Sequence, residues 1–148
     1  MRELFRDQLL KHMDSNKDIY LLLGGVGYGF YKPDNKRIID CEASEQAMVD
    51  IAVGLAMSGK IPFVYAITPH LYRAFEGIRI YLNHEKWPVK LIGVGKDEEY
   101  STLGFSHFAT DAKQVFKIFP NICNHVDDVF DMTHLITSGK PEIQLLSR

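Results

Sequence analysis

Glu45 is the residue with the clearest capacity for chemistry in this 148-residue chain. It heads the run Ser44-Glu45-Gln46-Ala47-Met48-Val49, just after the strand-like Arg37-Ile38-Ile39-Asp40. The helix that follows, through Ile51, Val53, Leu55, Ala56 and Met57, is apolar almost all round, the pattern of a helix buried on several sides. A carboxyl at the mouth of such a helix is partly desolvated. Burial raises a carboxyl pKa, so the group could stay protonated near neutrality and donate a hydrogen bond. A plainer reading stays open, in which Glu45 only complements the helix dipole from the first turn, with Ser44 as cap.

Six histidines are the other candidates: His12, His70, His84, His107, His125 and His134. No two have the close helical spacing of a zinc pair, so a metal site built by this chain alone is not expected. His70 and His107 stand out because each follows a predicted strand, where functional groups gather. The alternative for either is a structural or merely exposed histidine. There is no glycine-flanked serine elbow, and neither cysteine has an evident activating partner, so covalent hydrolase chemistry has little support.

The loop Gly24-Gly25-Val26-Gly27-Tyr28-Gly29 invites a dinucleotide reading, but its spacing fails. After Gly25-Val26-Gly27 the third glycine of the fingerprint would fall at Phe30. Lys32-Pro33-Asp34-Asn35 reads as a turn rather than a helix start. A tight turn with close backbone approach fits the glycines better.

These groups need elements to position them. Leu4, Leu9, Leu10 and Met13 predict an opening amphipathic helix, ended by the polar run from Asp14 to Asp18. Predicted strands follow at Ile19–Leu23, Arg37–Asp40, Ile61–Ala66, Val89–Val94, Ile122–Val126 and Glu142–Leu146. The Glu45 helix stops at Gly59. Thr68-Pro69 offers a cap and a first-turn proline for a helix whose Leu71, Phe75, Ile78 and Leu82 share one face. Two shorter helices are predicted at Asp111–Phe119 and Asp128–Thr137, with a polar loop at Lys96–Thr110. Alternating apolar strands and helices imply an α/β fold with three layers, α/β/α, around a doubly wound, mainly parallel six-stranded sheet. Sites in such sheets lie beyond the carboxyl ends of the strands, here near Gly24, Glu42, Ile67, Gly95 and His125.

Residues 1–148 fit a single domain. A net charge of −2 gives no basic excess to attract nucleic acid. No segment is long and apolar enough to span a membrane, and the first residues lack the apolar stretch of a signal peptide. Cys41 and Cys123 match no metal-ligand spacing, so reduced thiols, no disulfide and a cytoplasmic setting are expected.

Taken together and in order, the glycine loop, Arg37-Ile38-Ile39-Asp40, Ser44-Glu45-Gln46-Ala47-Met48-Val49, Ile51-Ala52-Val53-Gly54-Leu55-Ala56, Phe63-Val64-Tyr65-Ala66-Ile67-Thr68-Pro69, Tyr72-Arg73-Ala74-Phe75-Glu76 and Gly104-Phe105-Ser106-His107 resemble the pyrimidine-binding domain of the transketolase family. That family includes deoxyxylulose-phosphate synthase and the split, two-subunit transketolases. The resemblance implies that Glu45 hydrogen-bonds the aminopyrimidine of thiamine diphosphate and favours the tautomer that removes the thiazolium C2 proton. It implies that His70 and Ile67 stand where aromatic residues commonly pack on the ring, with Gly25, Val26 and Arg73 close by. It also implies that His107 lines the substrate channel. Gly25 departs from a frequent aspartate, and Ile67 and His70 from aromatics, which bears on the shape of the ring pocket.

The Gly-Asp-Gly motif and asparagine that hold magnesium and the diphosphate in this family do not occur here, nor does the third domain of transketolase. The resemblance therefore implies a partner subunit that binds Mg and the diphosphate, and pairing of pyrimidine domains within a heterotetramer. The implied reaction is transfer of a two-carbon ketol unit between sugars or sugar phosphates. Two alternatives remain: a subunit of a thiamine-diphosphate-dependent 2-oxo acid decarboxylase or synthase, and a non-catalytic regulatory module of the same fold.

Overall fold

The computed structural model describes residues 1–31, 34–125 and 129–148. Helix α1 (Arg2–Ser15) leads into strand β1 (Ile19–Leu23), and β2 (Ile38–Asp40) is followed by α2 (Glu45–Met57) and β3 (Ile61–Ile67). A continuous helical segment then passes from a 3₁₀ stretch (Thr68–Ala74) through the short α3 (Phe75–Gly77) into a π-helical stretch (Ile78–His84). Strand β4 (Lys90–Val94), helix α4 (Ala112–Lys117), strand β5 (Cys123–His125), helix α5 (Met132–Thr137) and strand β6 (Glu142–Leu146) complete the order. The six strands run parallel in the order β2-β1-β3-β4-β6-β5. This is the expected three-layer α/β sheet. The expected turn at Lys32-Pro33, the strand end at Val126 and the helix start at Asp128 lie outside the described residues.

Side chains alternate across the strands, and both faces are covered. Leu22, Val64, Ala66, Leu91, Ile143 and Leu145 point to α2, the 68–84 segment and α4. Leu21, Leu23, Phe63, Tyr65, Ile67, Ile92, Val94 and Leu146 point to α1 and α5. That two-sided burial explains why the strands read as continuous apolar runs.

Several local expectations are corrected. In α1 the buried stripe is Phe5, Leu9 and Met13, a four-residue spacing, while Leu4 is exposed. Of the predicted face after β3, Leu71, Ile78 and Leu82 are buried but Phe75 is exposed, its ring 5.3 Å from Phe119. Tight and wide helical turns there change the angular spacing that a regular α-helix would give. Ser44 precedes α2, yet its side chain makes no capping hydrogen bond. The Thr68 hydroxyl is no cap either: it donates to the Gly95 carbonyl, 2.7 Å away, and so ties the end of β3 to the end of β4. Helix α2 is less completely covered than its composition suggests, since Ile51 and Met57 are exposed.

Gly93 shows how tightly that junction is packed. A Cβ on Gly93 would come within 2.8 Å of both Leu145 Cδ2 and Thr68 Oγ1. Gly93→Ala is therefore expected to lower stability by about 1–3 kcal/mol, read from the urea midpoint at unchanged slope. An unaltered midpoint would show that Thr68 and Leu145 can move apart freely.

Candidate functional site

The chain leaves β1 for β2 on one side and returns to β3 on the other, so the strand order reverses at β1. Ligands of open α/β sheets bind beyond the carboxyl ends of the strands at such a reversal. Here that position is lined by the glycine loop after β1, the Glu42–Ser44 approach to α2, the 3₁₀ stretch after β3 and the 3₁₀ turn Phe105–His107.

The glycine loop is built for close approach. A Cβ on Gly24 would meet Ala66 Cβ at 3.0 Å and Met48 Sδ at 3.1 Å. Gly25 has φ of 65° and passes beside the backbone of Glu42 and Ala43. Glycine adopts this left-handed φ without strain. Val26 is partly buried against the α1-side core, and Ile67 belongs to that core as well.

Glu45 begins α2 with its side chain at 0% exposure. Arg73 Nη1 donates to both of its oxygens, at 3.1 and 3.0 Å, from a side chain that is 50% exposed. His70 Nδ1 lies 3.5 Å from Glu45 Oε1. Both Glu45 oxygens thus accept from Arg73 in this structure. A donor role would need a partner other than Arg73, because a guanidinium offers no acceptor.

His70 Nε2 is buried without a hydrogen-bond partner. Its ring meets that of His107 edge-on, with centroids 4.9 Å apart, and His107 Nδ1 is 3.0 Å from Ser106 Oγ. Glu45, His70, Arg73 and His107 therefore form one connected group, while Ile67, Gly25 and Val26 flank it through backbone and core. Two open depressions adjoin the group. One, of about 380 Å³, is lined by Ala43, Ser44, Glu45, Gln46, Asp50 and Arg73. The other, of about 370 Å³, is lined by Pro69, Tyr72, Phe105, Ser106, Phe108 and Asp111, and Phe105 there is 85% exposed.

Two polar arrangements escaped the sequence reading. The Tyr72 hydroxyl donates to Asp111 Oδ1 at 2.8 Å, and burial, reinforced by that carboxylate, raises the phenol's pKa. At the amino ends of β4 and β6, Lys90 and Glu142 form a buried pair at 2.9 Å, with His125 and His134 on the same carboxylate. A lysine and a glutamate inside otherwise apolar strands were the visible signal.

Burial, and then Arg73 and His107, lower the His70 pKa from its ordinary 6.5, against an opposing pull from Glu45. Above that ordinary value the ring is neutral in folded and unfolded chains alike. Below it the unfolded chain takes up a proton that the folded chain resists. The stability tied to His70 is therefore present in full above the unfolded value and is lost as pH falls from there through the lowered folded value. The urea midpoint is expected to decline on acidification from about pH 7.5 to about 5.5 and to decline less in His70→Phe. Parallel declines would contradict this.

Comparison with known proteins gives the site its context. The family model for the transketolase pyrimidine binding domain matches residues 4–132. An apulose-4-phosphate transketolase subunit of Phocaeicola vulgatus is 32% identical over 127 residues, covering 82% of this chain and 41% of that protein. The subunit of the same name from Actinobacillus succinogenes is 31% identical over 94 residues, 63% of this chain and 30% of its own. The chain thus spans about two fifths or less of these relatives. Among solved structures, a split-gene transketolase described as an inactive beta4 tetramer superposes with a TM-score of 0.76 at 23% identity, over 99% of this chain and 50% of that one. A transketolase mutant from Pichia stipitis gives 0.84 at 17% identity, over 99% of this chain and 25% of its own, a likeness of fold. With the family model covering most of its length, the chain belongs to the transketolase pyrimidine-binding domain family.

Proposed function

We propose that residues 1–148 form one pyrimidine-binding domain of a split transketolase, which transfers a two-carbon ketol unit between sugars or sugar phosphates together with a partner subunit. The observation that carries this reading is the fully buried Glu45 carboxylate at the strand-order reversal, grouped with Arg73, His70 and His107. Family membership implies thiamine diphosphate as cofactor. The residues present fit its aminopyrimidine end: a buried carboxylate is available to a ring nitrogen, and His70 Nε2 is a buried polar atom still lacking a partner. When bound, thiamine diphosphate supplies the nucleophilic carbon that carries the ketol unit.

The protein's part is binding and orientation. Glu45 would hydrogen-bond the pyrimidine, and the half-exposed Arg73 beside it has room to move aside. His70 and Ile67 would hold the ring, with Gly25 and Val26 giving backbone approach from the β1 loop. His107, next to His70, would contact the sugar. Both depressions are open, which suits a site closed by a second polypeptide that holds Mg and the diphosphate. The exposed Ile51 and Met57 on α2 suit pairing of two such domains in a heterotetramer. Among the described residues no helix is long and apolar enough to cross a membrane. The free thiols of Cys41 and Cys123 fit a cytoplasmic setting.

The ion pair between Arg73 and Glu45 also favours a second reading, a regulatory module in which the carboxylate is held by the protein itself. Assay of the reconstituted complex against sugar phosphates and 2-oxo acids separates ketol transfer, decarboxylation and inactivity. In the active complex Glu45→Gln is expected to reduce turnover by at least about 100-fold. Near-normal turnover would exclude Glu45 as activator. Thiamine diphosphate is expected to bind the complex and not this chain alone; tight binding by the isolated chain would contradict a divided site.

A further inference from the structure

We infer that His125, His134 and Glu142 form a binding site for a divalent transition-metal ion of the Zn²⁺ class, at the edge of the sheet away from Glu45. Glu142 opens β6 with its side chain at 0% exposure, and its two oxygens have separate duties. Oε1 faces Lys90 Nζ, 2.9 Å away, and accepts a short hydrogen bond from the Ser138 hydroxyl. Lys90 also donates to Ser138 Oγ and to the Lys140 carbonyl, so its position is set by three partners. Oε2 faces two imidazoles: His125 Nε2 at 2.9 Å and His134 Nε2 at 3.3 Å.

All three candidate ligand atoms lie within 4.8 Å of one another. Metal–nitrogen and metal–oxygen bonds of about 2.0–2.2 Å place neighbouring ligand atoms roughly 3.0–3.5 Å apart, so the two measured edges already fall close to what a bound ion requires. Two nitrogens and one carboxylate oxygen form the donor set that borderline divalent ions favour over Mg²⁺ or Ca²⁺. The histidine side chains are 37% and 53% exposed, which leaves a path from solvent and room for water to complete the coordination. Lys90 and Ser138 serve as the outer hydrogen bonds that orient a ligating carboxylate.

The three ligands come from three elements. His125 ends the edge strand β5, His134 lies in the two-turn helix α5, and Glu142 begins β6. A bound ion would fasten the short edge strand and α5 to the body of the sheet. The nine-residue separation of the histidines has no helical metal-pair spacing: the parallel pairing of β5 with β6 carries His125 to the Glu142 carboxylate, and His134 reaches the same oxygen from α5.

Calorimetric titration of the chelator-treated chain with Zn²⁺ tests the site, alongside Co²⁺ followed by its ligand-field absorption. One ion per chain is expected, with a raised melting temperature and a Co²⁺ spectrum showing nitrogen ligation. His134→Ala, an exposed change, and His125→Ala are each expected to weaken binding by more than about tenfold. Cys123→Ser, a nearby thiol outside the cluster, is expected to leave it unchanged. Absence of binding, binding that survives both histidine changes, or binding lost with Cys123 would each overturn the proposal.

Discussion

A fully buried carboxylate at the mouth of α2 is the constraint on which the arrangement around it depends. Such a group is tolerated only with a hydrogen-bonded counter-charge, since an isolated ion in an apolar surrounding costs several kcal/mol. Arg73 supplies that counter-charge from the segment after β3, while Glu45 follows β2. The pair therefore joins two connections that leave the sheet on either side of β1. His70 is drawn into the same group because it occupies the turn of 3₁₀ helix just before Arg73.

That group is held from below by close packing. Gly24 lets the end of β1 approach Ala66 and Met48, and the Thr68 hydroxyl bonds β3 to β4 through the Gly95 carbonyl. Tyr65, whose phenol is pushed up to about 12 by burial, fills the opposite face beneath the glycine loop with Tyr31. The polar residues stand on a rigid floor, as positioning for chemistry requires. Above them, among the described residues, the depressions by Arg73 and Phe105 stand open.

Much of this was legible in the sequence because it is periodic. Continuous apolar strands between amphipathic helices announce a parallel sheet, and Ile19–Leu23 and Glu142–Leu146 stand where they were predicted. Glu45, His70, Arg73 and His107 were found through their order along the chain, and the fold brings them together. What pattern could not supply was pairing. The Arg73 contact that makes Glu45 an acceptor depends on the 3₁₀ geometry after β3, and the same geometry turns Phe75 outward. The Lys90–Glu142 pair with its two histidines depends on strand neighbours 52 residues apart. No spacing rule reaches across that separation.

Glu45 would activate the cofactor only by contacting the pyrimidine. The most direct measurement is the rate of deuterium exchange at the thiazolium C2 of thiamine diphosphate bound to the complex, with native chain and with Glu45→Gln. Exchange slower by at least about 100-fold in the variant is the expected result. An unchanged exchange rate with cofactor fully bound would show that the buried carboxylate is a structural ion pair and that activation arises elsewhere.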